Sequence, residues 1–495
     1  MYLLGYDIGS SSIKAALVAI ETRQTVDVVQ HPETEMEIAS AALGWAEQHP
    51  DTWWENLGKA THKLLAANPQ INPGEIKGIG IAYQMHGLVI IDNEKKVLRP
   101  SIIWCDSRAI EIGDEAFHNL GEKRCLESLL NAPGNFTASK LKWVKENEPE
   151  IYEKVDKFML PGDYIAMRMT GRILTTMSGL SEGIMWDFKG NKPASFLFDY
   201  YGISEDMLPE VVASCGDHGE LTEQAAAALG LSAGIPVTYR AGDQPNNAMC
   251  LNVLEPGEIA ATGGTSGVVY GITSKPVYDP ESRVNAFLHV NHTIEKPRIG
   301  ILLCINGAGI QYSWIKKQMT QNGATYEELE KMAQAVPVSS DGLRIIPFGN
   351  GAERILGNRN IGSHFVNLNF NRHKKAHMVR ASLEGIAFSF IYGIDILKEM
   401  GLDIQLIRVG NDNLFQSEIF SQTIASLLNC DIEVLDTTGA IGAAKAAGIA
   451  TGYYHDLREA NEDLKVISRF GPDKNQGIYR DAYRVWRNDL EKILK

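Results

Sequence analysis

The sequence predicts an α/β protein built from two domains, and three observations support that prediction. The chain has 495 residues, more than a single hydrophobic core usually supports. Strand-like and helix-like segments alternate along it, as they do in layered α/β folds. A strand, a turn of small residues and a second strand occur at residues 2–20 and again at residues 258–272. We interpret this recurrence as one architectural plan that opens each domain.

The first of these units predicts a β-hairpin at the start of the chain. Apolar runs at Tyr2–Asp7 and Ile13–Ile20 flank a Gly-Ser-Ser-Ser turn at residues 9–12, which favours a tight connection. A helix is predicted from about Asp51, with Asp51 itself as the N-cap. The other elements predicted in this half are strands at Ile76–Ala82, Leu88–Ile91 and Val97–Trp104 and helices at Ala109–Leu120 and Ala138–Val155.

The second unit places strands at Glu258–Thr262 and Val268–Ile272 around a Gly-Gly-Thr-Ser-Gly turn at residues 263–267. The boundary between the domains is predicted near Asn252–Gly257, where a Pro-Gly pair interrupts the chain, so that the domains span residues 1–252 and 253–495. The other elements predicted here are helices at Gly309–Asn322, Ala376–Met400 (closed by Gly401), Leu414–Leu428 and Gly439–Ala450 and strands at Ile404–Val409 and Asp431–Leu435.

Composition argues against several classes of protein. The formal net charge is −14, so neither nucleic acid nor an anionic membrane is expected as a partner. No run of about 18 apolar residues occurs, and the N-terminus lacks the pattern of a signal peptide. The six cysteines are scattered without Cys-x-x-Cys spacing, which favours reduced thiols over a disulfide framework or a zinc site. We therefore predict a cytoplasmic protein.

Both turns of small residues are candidates for binding phosphate. Backbone N–H groups in a turn rich in glycine and serine can approach phosphate oxygens, and the hydroxyl groups add donors. Asp7, at the end of the strand before the first turn, is suited to bind Mg²⁺ through water. Each turn, taken alone, is equally typical of an ordinary hairpin connection. The chain has neither a Walker A sequence nor a dinucleotide-binding glycine pattern that opens a helix.

Polar side chains also follow other predicted strands. Asp243 lies in a Gly-Asp-Gln-Pro stretch after an apolar run, where a carboxylate can accept the proton of a hydroxyl that attacks a phosphoryl group. Met85 and His86 follow Ile76–Ala82, so that His86 could donate a hydrogen bond to a sugar hydroxyl beside an apolar wall. Trp104 ends another strand and offers an indole face to a sugar. Considered singly, these residues also suit a turn, a structural histidine or a core tryptophan.

Taken together, these stretches resemble the FGGY family of carbohydrate kinases from Asp7 to about Ala450. Residues 7–14 (Asp-Ile-Gly-Ser-Ser-Ser-Ile-Lys) are similar to the family's first phosphate loop, and residues 264–267 (Gly-Thr-Ser-Gly) to its second. Gly242-Asp243 is similar to its catalytic Gly-Asp pair. Residues 104–108 (Trp-Cys-Asp-Ser-Arg) and 160–164 (Leu-Pro-Gly-Asp-Tyr) also fit the family. Residues 84–87 (Gln-Met-His-Gly) most resemble the branch that phosphorylates xylulose, whereas glycerol kinases carry an Arg-Glu pair there.

The resemblance implies two actin-like, ribonuclease H-like ATPase domains with a cleft between them, the first binding sugar and the second nucleotide. It implies ATP-dependent phosphorylation of a ketopentose, most of all D-xylulose, with Mg²⁺ as cofactor, and it allows a homodimer. The resemblance also implies that Asp243 is the general base and that Asp7 lies near the metal and the phosphates. The implied sugar contacts are Met85, His86, Trp104, Asn135 and Asp243. The implied nucleotide contacts are Ser10, Ser11, Lys14, Gly264, Thr265, Gly307, Gln311, Gly410 and Asn413.

The sequence departs from the family pattern in three places. Residues 410–413 (Gly-Asn-Asp-Asn) stand where a glycine pair or triplet is usual, Gln-Pro-Asn-Asn follows Asp243, and residues 347–354 keep only part of a Gly-Glu-Arg stretch. Ribulose, a seven-carbon ketose and glycerol are alternative acceptors. An alternative of another class is an actin-like ATPase or sugar sensor that transfers no phosphate. His289 and His292 are not expected to share a metal ion, because residues i and i+3 of a strand face opposite sides.

Overall fold

The computed structural model describes residues 1–319, 323–411 and 413–495, and strands alternate with helices as the sequence predicts. The strands up to residue 250 are β1 (Tyr2–Ile8), β2 (Ile13–Ala19), β3 (Thr25–His31), β4 (Glu47–Gln48), β5 (Ile76–Tyr83), β6 (Val89–Ile91), β7 (Ser101–Ile102), β8 (Lys157–Met159), β9 (Leu174–Thr176), β10 (Trp186–Asp187), β11 (Lys192–Pro193), β12 (Glu210–Val212) and β13 (Val237–Gly242). The helices of this part are α1 (Pro50–Ala67), α2 (Ile110–Leu120), α3 (Glu122–Leu129), α4 (Thr137–Asn147), α5 (Pro149–Tyr152), α6 (Pro161–Thr170), α7 (Met177–Glu182), α8 (Ser195–Tyr201), α9 (Glu223–Leu229) and α10 (Asp243–Cys250).

The remaining elements follow the same alternation. The strands are β14 (Glu258–Gly263), β15 (Gly267–Thr273), β16 (Asn285–Leu288), β17 (Ile299–Ile305), β18 (Arg344–Phe348), β19 (Gly362–Val366), β20 (Leu406–Gly410), β21 (Asp431–Leu435) and β22 (Val466–Phe470). The helices are α11 (Gly309–Met319), α12 (Tyr326–Gln334), α13 (Lys375–Glu399), α14 (Glu418–Leu428), α15 (Gly439–Ala450), α16 (Leu457–Ala460) and α17 (Gln476–Leu494).

Two large mixed sheets repeat one strand plan. In the first, the order is β13-β5-β1-β2-β3, with β1 and β2 as an antiparallel hairpin and β1, β5 and β13 parallel. In the second, β21-β20-β14-β15-β17 follows the same order and directions, and β22 and β16 extend its two edges. The predicted recurrence of a hairpin at the head of two similar units is therefore confirmed.

Helix α15 packs on the first sheet although it follows strands of the second. Glycines in the strands allow the close approach. A Cβ on Gly5 would lie 2.0 Å from the carbonyl oxygen of Ala440, and a Cβ on Gly80 would lie 1.9 Å from that of Ala443. Small residues on the helix complete the fit, since Ala440, Ala443 and Ala444 are fully buried. The chain thus returns to the first sheet before β22 rejoins the second, and the predicted boundary at residue 252 stays a prediction.

Two of the predicted helix boundaries are wrong in the first half. Helix α1 begins at Pro50, and its N-cap is His49, whose ring accepts a hydrogen bond from the N–H of Asp51. The carboxylate of Asp51 instead accepts a hydrogen bond from the hydroxyl of Tyr164 at 2.6 Å. The helix predicted at Ala138–Val155 ends at Asn147, because Pro149 disfavours helical backbone at the residue before it and a separate short helix starts there.

Other boundaries differ by a few residues. The strand predicted at Val97–Trp104 is a regular strand at Ser101–Ile102, and Val97 forms an isolated bridge with Ile91. The helix predicted from Leu414 begins at Glu418 behind a 3₁₀ turn at Asn413–Gln416, since Ser417 supplies the N-cap. The helix predicted at Gly309–Asn322 is described as far as Met319, and its last three residues lie outside the described part of the chain. Within that part, no helix is both long enough and apolar enough to cross a membrane.

Candidate active site

Polar residues meet at one edge of the first sheet because three parallel strands end there side by side. In the pairing register, Asp7 of β1 lies beside Ala82 of β5, and Tyr83 lies beside Gly242 of β13. The N–H of Gln84 donates to the carbonyl oxygen of Ile8 at 2.8 Å, which fixes the polypeptide just after β5. The register therefore places Asp7, residues 84–86 and Asp243 at one edge.

Asp243 begins helix α10 directly after β13. Burial and then the negative charge of Asp7 raise the pKa of its carboxyl to about 7, against smaller opposing effects of hydrogen bonds from Gln244. A carboxylate with a pKa near neutrality can both accept and release a proton at physiological pH. Asp243 thus follows a strand, as the sequence analysis expects, and its role as the base stays a prediction.

Asp7 lies opposite Lys14 in the β1–β2 hairpin. Burial raises the pKa of its carboxyl, and the charge of Lys14 opposes that rise. The first residue of α15 lies against it, since a Cβ on Gly439 would be 2.9 Å from the Asp7 Oδ2. Mg²⁺ commonly takes one or two carboxylates together with water and phosphate oxygens, and Asp7 offers one such carboxylate. No group of three metal-ligating side chains occurs in the described part of the chain.

His86 follows β5 in a left-handed backbone conformation with φ at +63°. Its Nδ1 lies 2.9 Å from the carbonyl oxygen of Glu182, so Nδ1–H donates and Nε2 of the neutral ring is left as an acceptor. Burial and the nearby charge of Lys140 lower the pKa of His86 to about 3. The imidazole is therefore neutral, and it offers an acceptor where the sequence analysis expected a donor.

Met85 and His86 pack against residues from both halves of the chain. Met85 is buried and packs against Gly242, where an added Cβ would lie 2.6 Å from its Cγ. Phe136 meets the ring of His86 edge-on at 4.8 Å, and Phe287 of β16 lies 5.4 Å from it. The guanidinium of Arg354 lies 5.7 Å from the ring of Phe136. The sequence carries no local signal for Phe287, because an apolar residue in a strand is ordinary core.

Trp104 and Asn135 occupy different kinds of position. The indole of Trp104 is 54% exposed, and its Nε1–H donates to the Ser10 hydroxyl at 3.3 Å. It therefore lies beside the first small-residue turn with a free face. The side chain of Asn135 hydrogen-bonds the carbonyl of Asp106 and accepts from the N–H of Ala109 at 3.3 Å. Asn135 braces the loop after Trp104, and its predicted contact with sugar stays a prediction.

Hydrogen bonds to its carbonyl groups fix the first predicted phosphate turn to neighbouring segments. The carbonyl oxygen of Ser10 accepts from the side chain of Gln48 at 2.7 Å, and that of Ser11 accepts from the N–H of Met36 at 2.8 Å. The turn also has exposed surface at Ser11. These contacts stabilise the turn at the same edge as Asp7.

The second predicted turn is joined to the start of α11. The carbonyl oxygens of Gly264 and Thr265 accept from the N–H groups of Gly309 and Ile310 at 2.9 and 3.2 Å. Gly307 has φ +84°, and a Cβ there would meet the carbonyl oxygen of Pro347 at 2.1 Å, so glycine is needed for this close approach.

The remaining predicted nucleotide contacts lie in the second half of the chain. Gln311 is buried in the first turn of α11, and its Oε1 has no hydrogen-bond partner within the described residues. Gly410 ends β20. The side chain of Asn413 and the whole of Asp412 lie outside the described part of the chain.

Comparison with known proteins gives a consistent result over the full length. Models of the N-terminal and C-terminal domains of the FGGY family of carbohydrate kinases match residues 2–250 and 259–451. The chain is 28% identical to the xylulose kinase of Bacillus subtilis (strain 168), over 100% of this chain and 99% of that protein.

Two solved structures share the fold. A xylulose kinase from Rhodospirillum rubrum is 24% identical with a TM-score of 0.89, covering 100% of this chain and 99% of that one. A glycerol kinase from Plasmodium falciparum with ADP is 21% identical with a TM-score of 0.88, covering 100% and 98%. These similarities confirm the two-domain α/β fold. They leave the acceptor open, because kinases for two different acceptors match almost equally well.

Proposed function

The chain belongs to the FGGY family of carbohydrate kinases, and we propose that it transfers the γ-phosphate of ATP to a ketopentose, D-xylulose, to give xylulose 5-phosphate. One observation supports this acceptor above the others. Beside Gly242 and Asp243, the segment after β5 carries the buried side chain of Met85 and the neutral imidazole of His86. A neutral imidazole whose Nε2 can accept a hydrogen bond, beside an apolar side chain, suits a sugar that carries several hydroxyl groups.

The reaction needs a base, a sugar hydroxyl held in position to attack, and an active site from which water is excluded. Asp243 accepts the proton of the attacking hydroxyl, and its raised pKa matches that role. His86 Nε2 accepts a hydrogen bond from another hydroxyl of the sugar and orients it. Closure of the two sheets toward each other would expel water, which is a competing nucleophile.

The nucleotide is proposed to lie between the two small-residue turns, with its phosphates near Ser10 and Thr265. Backbone N–H groups of such turns neutralise phosphate charge without a basic patch, which fits the acidic composition. Mg²⁺ would be held through Asp7, with the coordination completed by water and phosphate, and it supplies neutralisation of the charge on the transferred group. The reaction is proposed to be cytoplasmic, since all six cysteines are free thiols.

Two alternatives remain to be tested against this proposal. Ribulose, a seven-carbon ketose or glycerol could be the acceptor, and a sensor without transfer activity would need no base. An ADP-release assay across ketoses, aldoses and polyols separates all of these. We expect kcat/KM for D-xylulose to exceed that for glycerol by at least about 10-fold, because a missing hydroxyl leaves a buried polar group unpaired. Comparable efficiency on glycerol would refute the ketopentose assignment, and no sugar-dependent ADP release would refute the transfer.

A further inference from the structure

Lys140 is a fully buried lysine beneath the candidate sugar site. It lies on α4, and its side chain has no exposed surface. Its ammonium donates to the carbonyl oxygen of His86 at 2.8 Å and to that of Ile103 at 2.9 Å. One charged group thus bridges two separate loops of the backbone.

The two carbonyls belong to the loops that present the candidate sugar contacts. His86 supplies the imidazole and has an unfavourable positive φ, so its peptide needs a fixed partner. Ile103 directly precedes Trp104. The N–H of Leu88 also donates to the carbonyl of Ile102 at 3.0 Å, and it joins the same two loops a few residues away. The ammonium and this backbone bond together set the spacing of His86 and Trp104.

Packing alone does not account for a lysine at this position. Burial lowers the pKa of Lys140 to about 7, against the opposing charges of Asp106 and Cys105. Asp106 is already paired with Arg108 at 2.7 Å, and no carboxylate is bonded to Lys140 among the described residues. A buried charge without a bonded counter-ion is costly, and an apolar side chain of similar length generally serves stability better.

We propose that Lys140 is a positioning residue for the sugar site, whose ammonium holds the His86 and Trp104 loops at the spacing that the acceptor requires. The proposal rests on the assignment of His86 and Trp104 to the sugar site. It does not depend on which sugar is the substrate. Lys140 itself acts through the backbone of its neighbours and is not assigned a contact with substrate.

The test compares Lys140→Met with Lys142→Met. Methionine keeps the length of the side chain and removes the donors, whereas Lys142 lies on the same helix with its ammonium paired to Glu146 at 2.8 Å, near the surface. We expect Lys140→Met to raise the KM for the sugar by about 10- to 100-fold, since two buried carbonyls lose their partner. The KM for ATP should stay within about twofold, because the hydrogen bonds of Lys140 in the described part of the chain go to His86 and Ile103 and to neither nucleotide turn. Lys142→Met should leave both constants unchanged.

Amide hydrogen exchange gives a readout that needs no substrate. Peptides covering residues 84–90 and 101–108 should exchange faster in Lys140→Met than in the wild type, while the β1–β2 hairpin stays protected. If Lys140→Met does not fold, Lys140→Arg keeps the cation and its donors but replaces a compact ammonium with a larger planar group, which changes the spacing of the two carbonyls. A higher sugar KM with unchanged ATP KM is therefore again expected.

The outcomes separate this proposal from the proposed function. Faster exchange in the two loops together with no activity of the wild type on any ketopentose would retain the role of Lys140 and overturn the acceptor. Wild-type activity on D-xylulose together with unchanged sugar KM and unchanged exchange in Lys140→Met would overturn the role of Lys140. A parallel rise of both KM values would also overturn it, because general destabilisation would explain that result.

Discussion

The two sheets share one strand order but carry different side chains at the same edge. In each hairpin, one cross-strand pair lies one step away from the pair that borders the turn. This pair is Asp7 and Lys14 in the first hairpin and Thr262 and Val268 in the second. The first sheet adds Asp243 after its outer parallel strand, with the pKa raised to about 7. Its counterpart after β21 is Asp436, which is exposed. Among the described residues at this edge, Asp7 and Asp243 therefore lie together in the first sheet, and Thr262 and the exposed Asp436 hold the equivalent positions in the second.

This difference suggests a division of labour between the copies. A carboxyl group becomes an effective base near neutral pH when burial and like charges raise its pKa. Holding phosphate requires only backbone N–H groups in a turn that can approach closely. We therefore expect the first sheet to carry the catalytic base and both turns to bind phosphate. The following experiments challenge that division, beginning with the largest expected effect.

Replacing Asp243 tests whether chemistry resides in the first sheet. Asp243→Ala should lower kcat by about 10²- to 10⁴-fold, as expected for removal of a general base. Asp436→Ala, the matched change at the equivalent strand end of the second sheet, should have a far smaller effect. Steady-state kinetics with circular dichroism as a control for folding gives the answer. Near wild-type turnover in folded Asp243→Ala would rule out Asp243 as the base.

Replacing His86 tests whether its imidazole binds a hydroxyl group of the sugar. His86→Ala removes the acceptor Nε2, so kcat/KM for D-xylulose should fall by about 10-fold or more. Efficiency on glycerol should change less, and the gap between the two acceptors should narrow. The measurement is kcat/KM for both acceptors on the same preparation. An equal loss on both would show that His86 supports the site without selecting the acceptor.

A change in the second turn tests its role in nucleotide binding. Gly264→Val places a β-branched side chain where phosphate would approach the backbone, so the KM for ATP should rise several-fold more than the KM for sugar. Gly477→Val is a suitable control, because a Cβ at Gly477 would meet no atom within 4 Å. The assignment of the turn fails if the KM for ATP in folded Gly264→Val equals that of the wild type.

The pH dependence tests the coupling between Asp7 and Asp243. Because Asp243 is protonated below about pH 7, kcat/KM should increase with pH through that value as the base is freed. Asp7→Asn removes a like charge that raises the pKa of Asp243, so the midpoint should move to lower pH. The position of the midpoint is the readout, since the height of the profile also depends on the proposed metal. A midpoint that stays in place would show that burial alone sets the pKa.

The sequence by itself determined the local elements and the two-fold repetition of their plan. Apolar runs around turns of small residues predicted both hairpins, and β21 and α15 have the predicted bounds, because these signals depend on neighbouring residues only. The same local character explains the errors at Asp51 and at Ala138–Val155, where capping and proline compete with periodicity. The sugar and nucleotide contacts, the domain boundary and the homodimer stay predictions.

Only the tertiary structure decided how distant segments combine. The return of α15 to the first sheet depends on Gly5 and Gly80 meeting a helix some 360 to 440 residues later in the chain. The neutral form of His86 depends on burial and on the charge of Lys140, and a carbonyl of α7 decides which ring nitrogen carries the proton. The pKa of Asp243 depends on burial and on Asp7, which lies far from it in the sequence. Burial and electrostatic coupling act through space, so no pattern confined to one stretch of sequence can reveal them.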